Sequence, residues 1–160
     1  SDRVKEAVFS MIVPYISETT VVADLFCGTG NMGLEALSRG AGRAYFSDIS
    51  KDSLALALEN IKACGMEDRS ILLKGDYRQN LMRIREGVDI YFLDPPYEGE
   101  TLTKALSDIS RLESLRDDVL VVCEHRVRQA PPEEVGSLVL WKQKRYGATS
   151  ISIYAKGERG

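Results

Sequence analysis

Residues 88–97 read Val-Asp-Ile-Tyr-Phe-Leu-Asp-Pro-Pro-Tyr, and no other stretch limits the fold as tightly. A short aromatic and β-branched run bounded by Gly87 and two prolines predicts a buried strand. Pro95 and Pro96 then stop it, because neither has an N–H for a sheet and each keeps its predecessor out of the helical region. The result is a stiff, extended turn at the carboxyl end of a strand, the place where open α/β sheets bind ligands. Backbone carbonyls left unpaired there, the carboxylate of Asp94 and the flat ring of Tyr97 suit a planar molecule that carries an NH2 group.

The chain has 160 residues, 44% apolar and 28% charged, which fits one globular domain over residues 1–160 able to bury a core without staples. Cys27, Cys64 and Cys123 have no metal-ligand spacing and form no even framework, so they are expected reduced and mostly buried, as suits the cytoplasm. The longest apolar run is far short of a membrane span, and no membrane partner is expected. A net charge of −3 argues mildly against a nucleic-acid partner, although a local basic patch can do what the total does not.

Strand and helix signals alternate along the chain. Residues 4–16 predict a helix with Val4, Val8, Met11, Ile12 and Tyr15 inward, Asp2 as its cap and Pro14 interrupting its end. Residues 21–26 predict the first strand, followed by a Gly-rich turn and a helix to about Arg39 that Gly40 stops. A second strand over 43–49 carries Asp48 at its tip. Ser50 is placed to cap a helix over 51–64 with Leu54, Leu58 and Ile61 inward. A strand over 70–74, a short helix over about 79–85, the strand ending at Asp94, a helix over 101–112 and a strand over 119–123 follow. Residues 135–141 lead into a sixth strand. Residues 149–155 alternate as a seventh, with Ile151 and Ile153 set against Ser150 and Ser152, and Gly147 links the two as a terminal hairpin. The expected fold is a Rossmann-like, doubly wound α/β sheet of seven strands with a C-terminal antiparallel hairpin.

Gly28-Thr29-Gly30-Asn31-Met32-Gly33 fits the dinucleotide pattern, so a nicotinamide or flavin enzyme is a reading to weigh. Asp24, just before the turn, would repel a pyrophosphate and suits an amine-bearing ligand. No Tyr–Lys or His pair stands ready to shuttle a proton, and His125 is the only histidine. Asp48 lies 18 residues past Gly30, at the ribose-binding position. Asp76 follows the third strand and can accept from an adenine amine. Acids for an amino-acid end, a ribose and an adenine describe S-adenosylmethionine. A sulfonium methyl is already a good electrophile, so positioning of the nucleophile does much of the work. Asp94 and the Pro95 carbonyl would accept from an exocyclic amine on which Tyr97 stacks, with no metal and no base of raised pKa required. His125 is read as a base or substrate contact, or more simply as structural.

Together these residues resemble a known family. Asp94-Pro95-Pro96-Tyr97 is similar to the amino-methyltransferase motif of class I S-adenosylmethionine-dependent enzymes. The whole chain resembles the RsmD-type enzymes, which methylate the N2 amine of a guanine in small-subunit (16S) ribosomal RNA. The resemblance rests on Asp2 to Phe9, on Asp24 to Gly30, on the Gly33-to-Ala41 run Gly-Leu-Glu-Ala-Leu-Ser-Arg-Gly-Ala, on the four-residue motif, and on the Lys144-to-Thr149 tail Lys-Arg-Tyr-Gly-Ala-Thr. It implies a cofactor site of Asp24, Phe26, Gly28, Gly30, Asp48 and Asp76, a catalytic site of Asp94, Pro95, Pro96 and Tyr97, and Arg3 near the RNA or the mouth of the active site. It also implies action on 16S rRNA within a small subunit or an assembly intermediate. Three departures stand out. Cys27-Gly28-Thr29-Gly30 replaces the usual Ala-Gly-Ser-Gly, Asp48 replaces a common Glu, and the basic segment usual upstream of Asp2 is expected to be missing.

Lys144 and Arg145, within a run of aromatics and cations from Trp141 to Tyr146, and Arg126 with Arg128 after the fifth strand, together with Arg3 and Lys5, are candidate phosphate contacts at the rim of the active-site face. The same cations also read as ordinary protection of a sheet edge. The rivals are a DNA adenine-N6 or cytosine-N4 methyltransferase, a small-molecule or protein-glutamine methylase, and a non-catalytic RNA-binding module. A monomer is the default oligomeric state.

Overall fold

The strand that leads into Asp94 lies near the middle of one eight-stranded sheet, in a computed structural model that describes residues 2–96 and 99–157. The elements in chain order are α1 (Asp2–Ile12), β1 (Val21–Asp24), α2 (Asn31–Ser38), β2 (Arg43–Asp48), α3 (Lys51–Ala63), β3 (Ser70–Lys74), α4 (Tyr77–Arg83), β4 (Ile90–Leu93), α5 (Thr101–Ser110), β5 (Leu120–Arg126), β6 (Glu134–Val135), β7 (Leu138–Tyr146) and β8 (Thr149–Lys156). Strand order is β3-β2-β1-β4-β5-β8-β7-β6. The first five strands run parallel, and β8, β7 and β6 add on antiparallel.

Period-two alternation builds two cores on one sheet. Val22, Phe46, Ile90, Phe92, Val122 and Ile153 face the buried sides of α1, α2 and α3. Ala23, Tyr91, Leu93, Val121, Cys123 and Tyr154 face α4 and α5. Because both faces are covered, the central strands are apolar throughout, which is why residues 90–93 read as a continuous run. The order reverses between β1 and β4, where the Leu25 N–H donates to the Phe92 carbonyl at 3.2 Å. Chains leaving β1 and β4 there diverge and open a crevice at the carboxyl edge.

Several expectations need correction. The sheet has eight strands. Gly136 takes a φ of +59° and breaks the 135–141 run into the two-residue β6 and the long β7. The first helix ends at Ile12, and Pro14 sits in a separate 3₁₀ turn, Val13–Tyr15. Asp2 lies inside the first turn of α1, where its charge favours the helix dipole. Tyr15 is exposed, edge-on to Trp141 with ring centres 5.8 Å apart. In α3 it is Leu54, Ala57 and Ile61 that are buried, whereas Leu58 is exposed. Cys64 is exposed too, while Cys27 and Cys123 are buried. Strand β5 continues to Arg126, because β8 pairs with it up to Arg126↔Thr149 after β4 has ended at Leu93↔Cys123. Strand β8, which alternates in sequence, is buried on both faces from Ser150 to Tyr154. Its Ser152 hydroxyl is held by His125 Nε2 at 2.7 Å and Gln143 Nε2 at 2.9 Å.

Candidate active site

Asp24 ends β1 with its carboxylate buried. Its Oδ2 accepts the Gly33 N–H at 3.0 Å, so it occupies a donor in the first turn of α2 that a pyrophosphate would otherwise use. Gly33 must be glycine, since a Cβ there would collide with the ring of Phe46. Burial pushes the Asp24 carboxyl up to about 7; the Gly33 N–H opposes this, and Asp94 and Asp48 reinforce it. A carboxylate so placed gains when a cation binds beside it.

Asp48 ends β2 and turns inward. Its Oδ2 accepts the Gly28 N–H at 2.8 Å and its Oδ1 accepts the Ser50 N–H at 2.9 Å. This fixes the Gly-rich turn against the tip of β2. Gly28 and Gly30 adopt φ of +53° and +88°, and Gly30 begins α2 with Ala57 and Phe46 close behind it. Asp76 caps α4 through the Arg78 N–H at 2.8 Å. Phe26 packs against Tyr77 with ring centres 5.3 Å apart.

These residues surround a cleft of about 930 Å3 lined by Phe26, Gly28, Asp48, Asp76, Asp94, Pro95 and Pro96 among others. Ile49 lines it as well and is 73% exposed, an apolar surface with nothing packed on it. A second pocket of about 150 Å3 continues past Phe26 and Cys27 to Asp24, Lys5 and Asn31. A third, of about 220 Å3, lies on the far side of β4 between Pro95, Glu124, His125, Arg126 and Thr149. Asp94 lines all three. Its side chain reaches solvent, yet partial burial and then the Glu124 carboxylate raise it to about 6. Burial also pushes the Cys27 thiol well above its usual range, so this wall residue is a neutral neighbour and not a nucleophile.

The structure thus brings together Asp24, Phe26, Gly28, Asp48, Asp76, Asp94, Pro95 and Pro96. Gly30 shapes the turn without lining a cavity. Tyr97 lies outside the described residues. Arg126 belongs to β5 instead of following it, and lines the third pocket. Lys144 and Arg145 pair with Ile151 and Ser150 of β8, which pair in turn with Glu124 and His125. The tip of the hairpin therefore stands at the carboxyl edge, two strand spacings or roughly 10 Å from β5. Arg3 is exposed on the first turn of α1 and lines none of the three cavities. His125 is tied by Nδ1 to the Arg126 carbonyl at 2.7 Å and by Nε2 to Ser152, which favours a structural role.

The sequence reading missed Asn31, Ile49 and Glu124, and it took Lys5 as a cation of the RNA-facing rim, not as a wall of the pocket beside Asp24. Lys5 and Asn31 are distant in sequence and meet only because α1 packs on α2, Nζ to Oδ1 at 3.2 Å, with Glu35 3.4 Å from the same ammonium. Ile49 had a signal in sequence, an isoleucine directly after the acidic strand tip. Glu124 had one too, the residue after an apolar strand parallel to β4.

The fold and the cleft at its switch point define a class I methyltransferase. Residues 1–155 match the family described as Conserved hypothetical protein 95, and the chain belongs to that family. It is 34% identical to "Putative rRNA methyltransferase YlbH" of Bacillus subtilis (strain 168), over 98% of this chain and 86% of that protein. It is 29% identical to "Ribosomal RNA small subunit methyltransferase D" of Haemophilus influenzae, over 96% of this chain and 80% of that protein. Among solved structures, "Putative methyltransferase yhhF" from Escherichia coli superposes with a TM-score of 0.87 at 25% identity, covering 98% of this chain and 86% of that one. Among the described residues, no helix is long and apolar enough to cross a membrane.

Proposed function

We propose that this chain is an RsmD-type enzyme that transfers a methyl group from S-adenosylmethionine to the exocyclic N2 amine of a guanine in 16S ribosomal RNA. It would act in the cytoplasm as a single-domain monomer on a small subunit or an assembly intermediate. The observation that carries this reading is the position of Asp94 where all three cavities meet.

The residues fit the donor. Asp24, buried and raised to about 7, suits its ammonium, and Lys5 neighbours the same pocket. Asp48 suits the ribose hydroxyls, while Ile49 and Asp76 suit the face and amine of adenine. When bound, the donor supplies an electrophilic methyl group. The protein's part is to hold an amine in line with it. On the opposite side of Asp94, the Asp94 carboxylate and the Pro95 carbonyl accept the two N–H bonds of the amine and stabilise its developing positive charge. Asp94 at about 6 also suits taking the proton, a role the sequence reading did not require. Arg126, Lys144, Arg145 and Arg3 would hold phosphates, and Tyr97 would stack on the base. The target base must be unpaired or flipped to reach Asp94.

The test is transfer from methyl-labelled donor to naked 16S rRNA and to small subunits from cells lacking this activity, with duplex DNA as the control. N2-methylguanosine at one site is expected. Label confined to DNA would replace this reading with a DNA amino-methyltransferase.

A further inference from the structure

Resting on the proposed function, we infer that Glu124 reads the guanine, accepting its N1–H while Asp94 accepts the neighbouring N2–H. Strands β4 and β5 are parallel with Leu93 opposite Cys123, so Asp94 and Glu124 are the next residues out, side by side at the carboxyl edge. Adjacent strands are about 4.8 Å apart, the scale on which two carboxylates serve neighbouring donors of one ring. Glu124 shares with Asp94 both the donor-side pocket and the pocket beyond β4. It is half-buried, and no described residue donates a hydrogen bond to its carboxylate. A half-buried carboxylate that accepts from no described residue, set beside Asp94, can exchange water for a docked N–H.

The pair discriminates by chemistry. Guanine offers N2–H and N1–H as adjacent donors. Adenine offers N6–H beside N1, and cytosine offers N4–H beside N3, both bare acceptors. Either base would set a lone pair against the Glu124 carboxylate, leave two acceptors facing each other, and be rejected. The four-residue motif alone does not separate these bases. Glu124 supplies that choice from the next strand.

The test uses small subunits reconstituted with guanosine or 2-aminopurine riboside at the nucleotide that the transfer assay identifies. 2-Aminopurine keeps the amine but turns N1 into an acceptor. The unaltered protein should prefer guanosine on the order of tenfold to a hundredfold, the range of one well-made base contact. Glu124→Gln, whose amide can accept or donate, should cut that ratio by about tenfold or more. Glu124→Asp should keep it. Donor affinity, measured separately by calorimetry, should change by less than the guanosine preference does, because Glu124 only borders the donor-side pocket. Guanosine label with the same preference in Glu124→Gln overturns the assignment of Glu124 and leaves the proposed function standing. Label from the unaltered protein in an adenine or a cytosine overturns both.

Discussion

Asp24 carries two opposed demands, since burial favours its neutral form and a cationic ligand needs it charged. Its carboxyl rises from 3.8 to about 7 in the folded chain, so the folded state binds a proton that the unfolded state has released across that interval. The stability from this group is therefore fully present below pH about 4 and is lost as pH rises through about 7. A shift of this size corresponds to a few kcal/mol. Chemical denaturation between pH 5 and 8 should show Asp24→Asn flattening the decline, with the variant more stable than the parent at pH 8 and bound donor weakened by about tenfold or more. A steeper decline in the variant would contradict the role given to Asp24. The acids at the strand ends were readable in sequence because each follows an apolar run. Their burial and mutual repulsion were not, because they depend on β1, β2 and β4 being neighbours in space.

At the scale of elements, the Gly-rich turn and α2 depend on the packing of Gly33 against Phe46. Alanine is normally favoured over glycine inside a helix by about 1 kcal/mol. Here the added Cβ enters the Phe46 ring, which is fully buried in the core shared by α2, α3 and the sheet. The clash decides the sign, and thermal unfolding of Gly33→Ala should show a loss of about 1–3 kcal/mol. The terminal hairpin is the second element with a separable role. Charge reversal at Lys144 and Arg145 should weaken RNA binding and reduce the dependence of log affinity on log salt by about one per lost phosphate contact, with donor affinity unchanged. An unchanged salt slope in filter binding would return these residues to edge protection. The hairpin was legible from Gly147 between a strand-like run and an alternating one. The extent of β5 was not, since Glu124, His125 and Arg126 look like a loop until β8 pairs with them. That misreading of a strand end is also why Glu124 went unnoticed as a site residue.

For the molecule as a whole, the strand order turns a list of acids into a machine with two sides. The reversal between β1 and β4 puts the cleft proposed for the donor on one side of Asp94, and the addition of β8 to β5 puts a second pocket on the other. Sequence alone placed the doubly wound class and the motif at a strand end, because local runs and turn residues carry both. It could not show that three cavities converge, since Lys5, Asp24, Asp94, Glu124 and Thr149 come from five elements or their edges. The net charge of −3 also leaves RNA attraction to a local rim and not to the molecule's overall field. Whether Asp94 acts on the acceptor and not on the donor is decided by one comparison in Asp94→Ala. Equilibrium binding of S-adenosylhomocysteine and single-turnover methyl transfer to small subunits would be measured on the same preparation. Donor-site affinity should stay within about threefold of the parent and transfer should slow by about a hundredfold or more. Transfer at the parental rate, or a loss of donor binding that accounts for the whole defect, would contradict action on the acceptor.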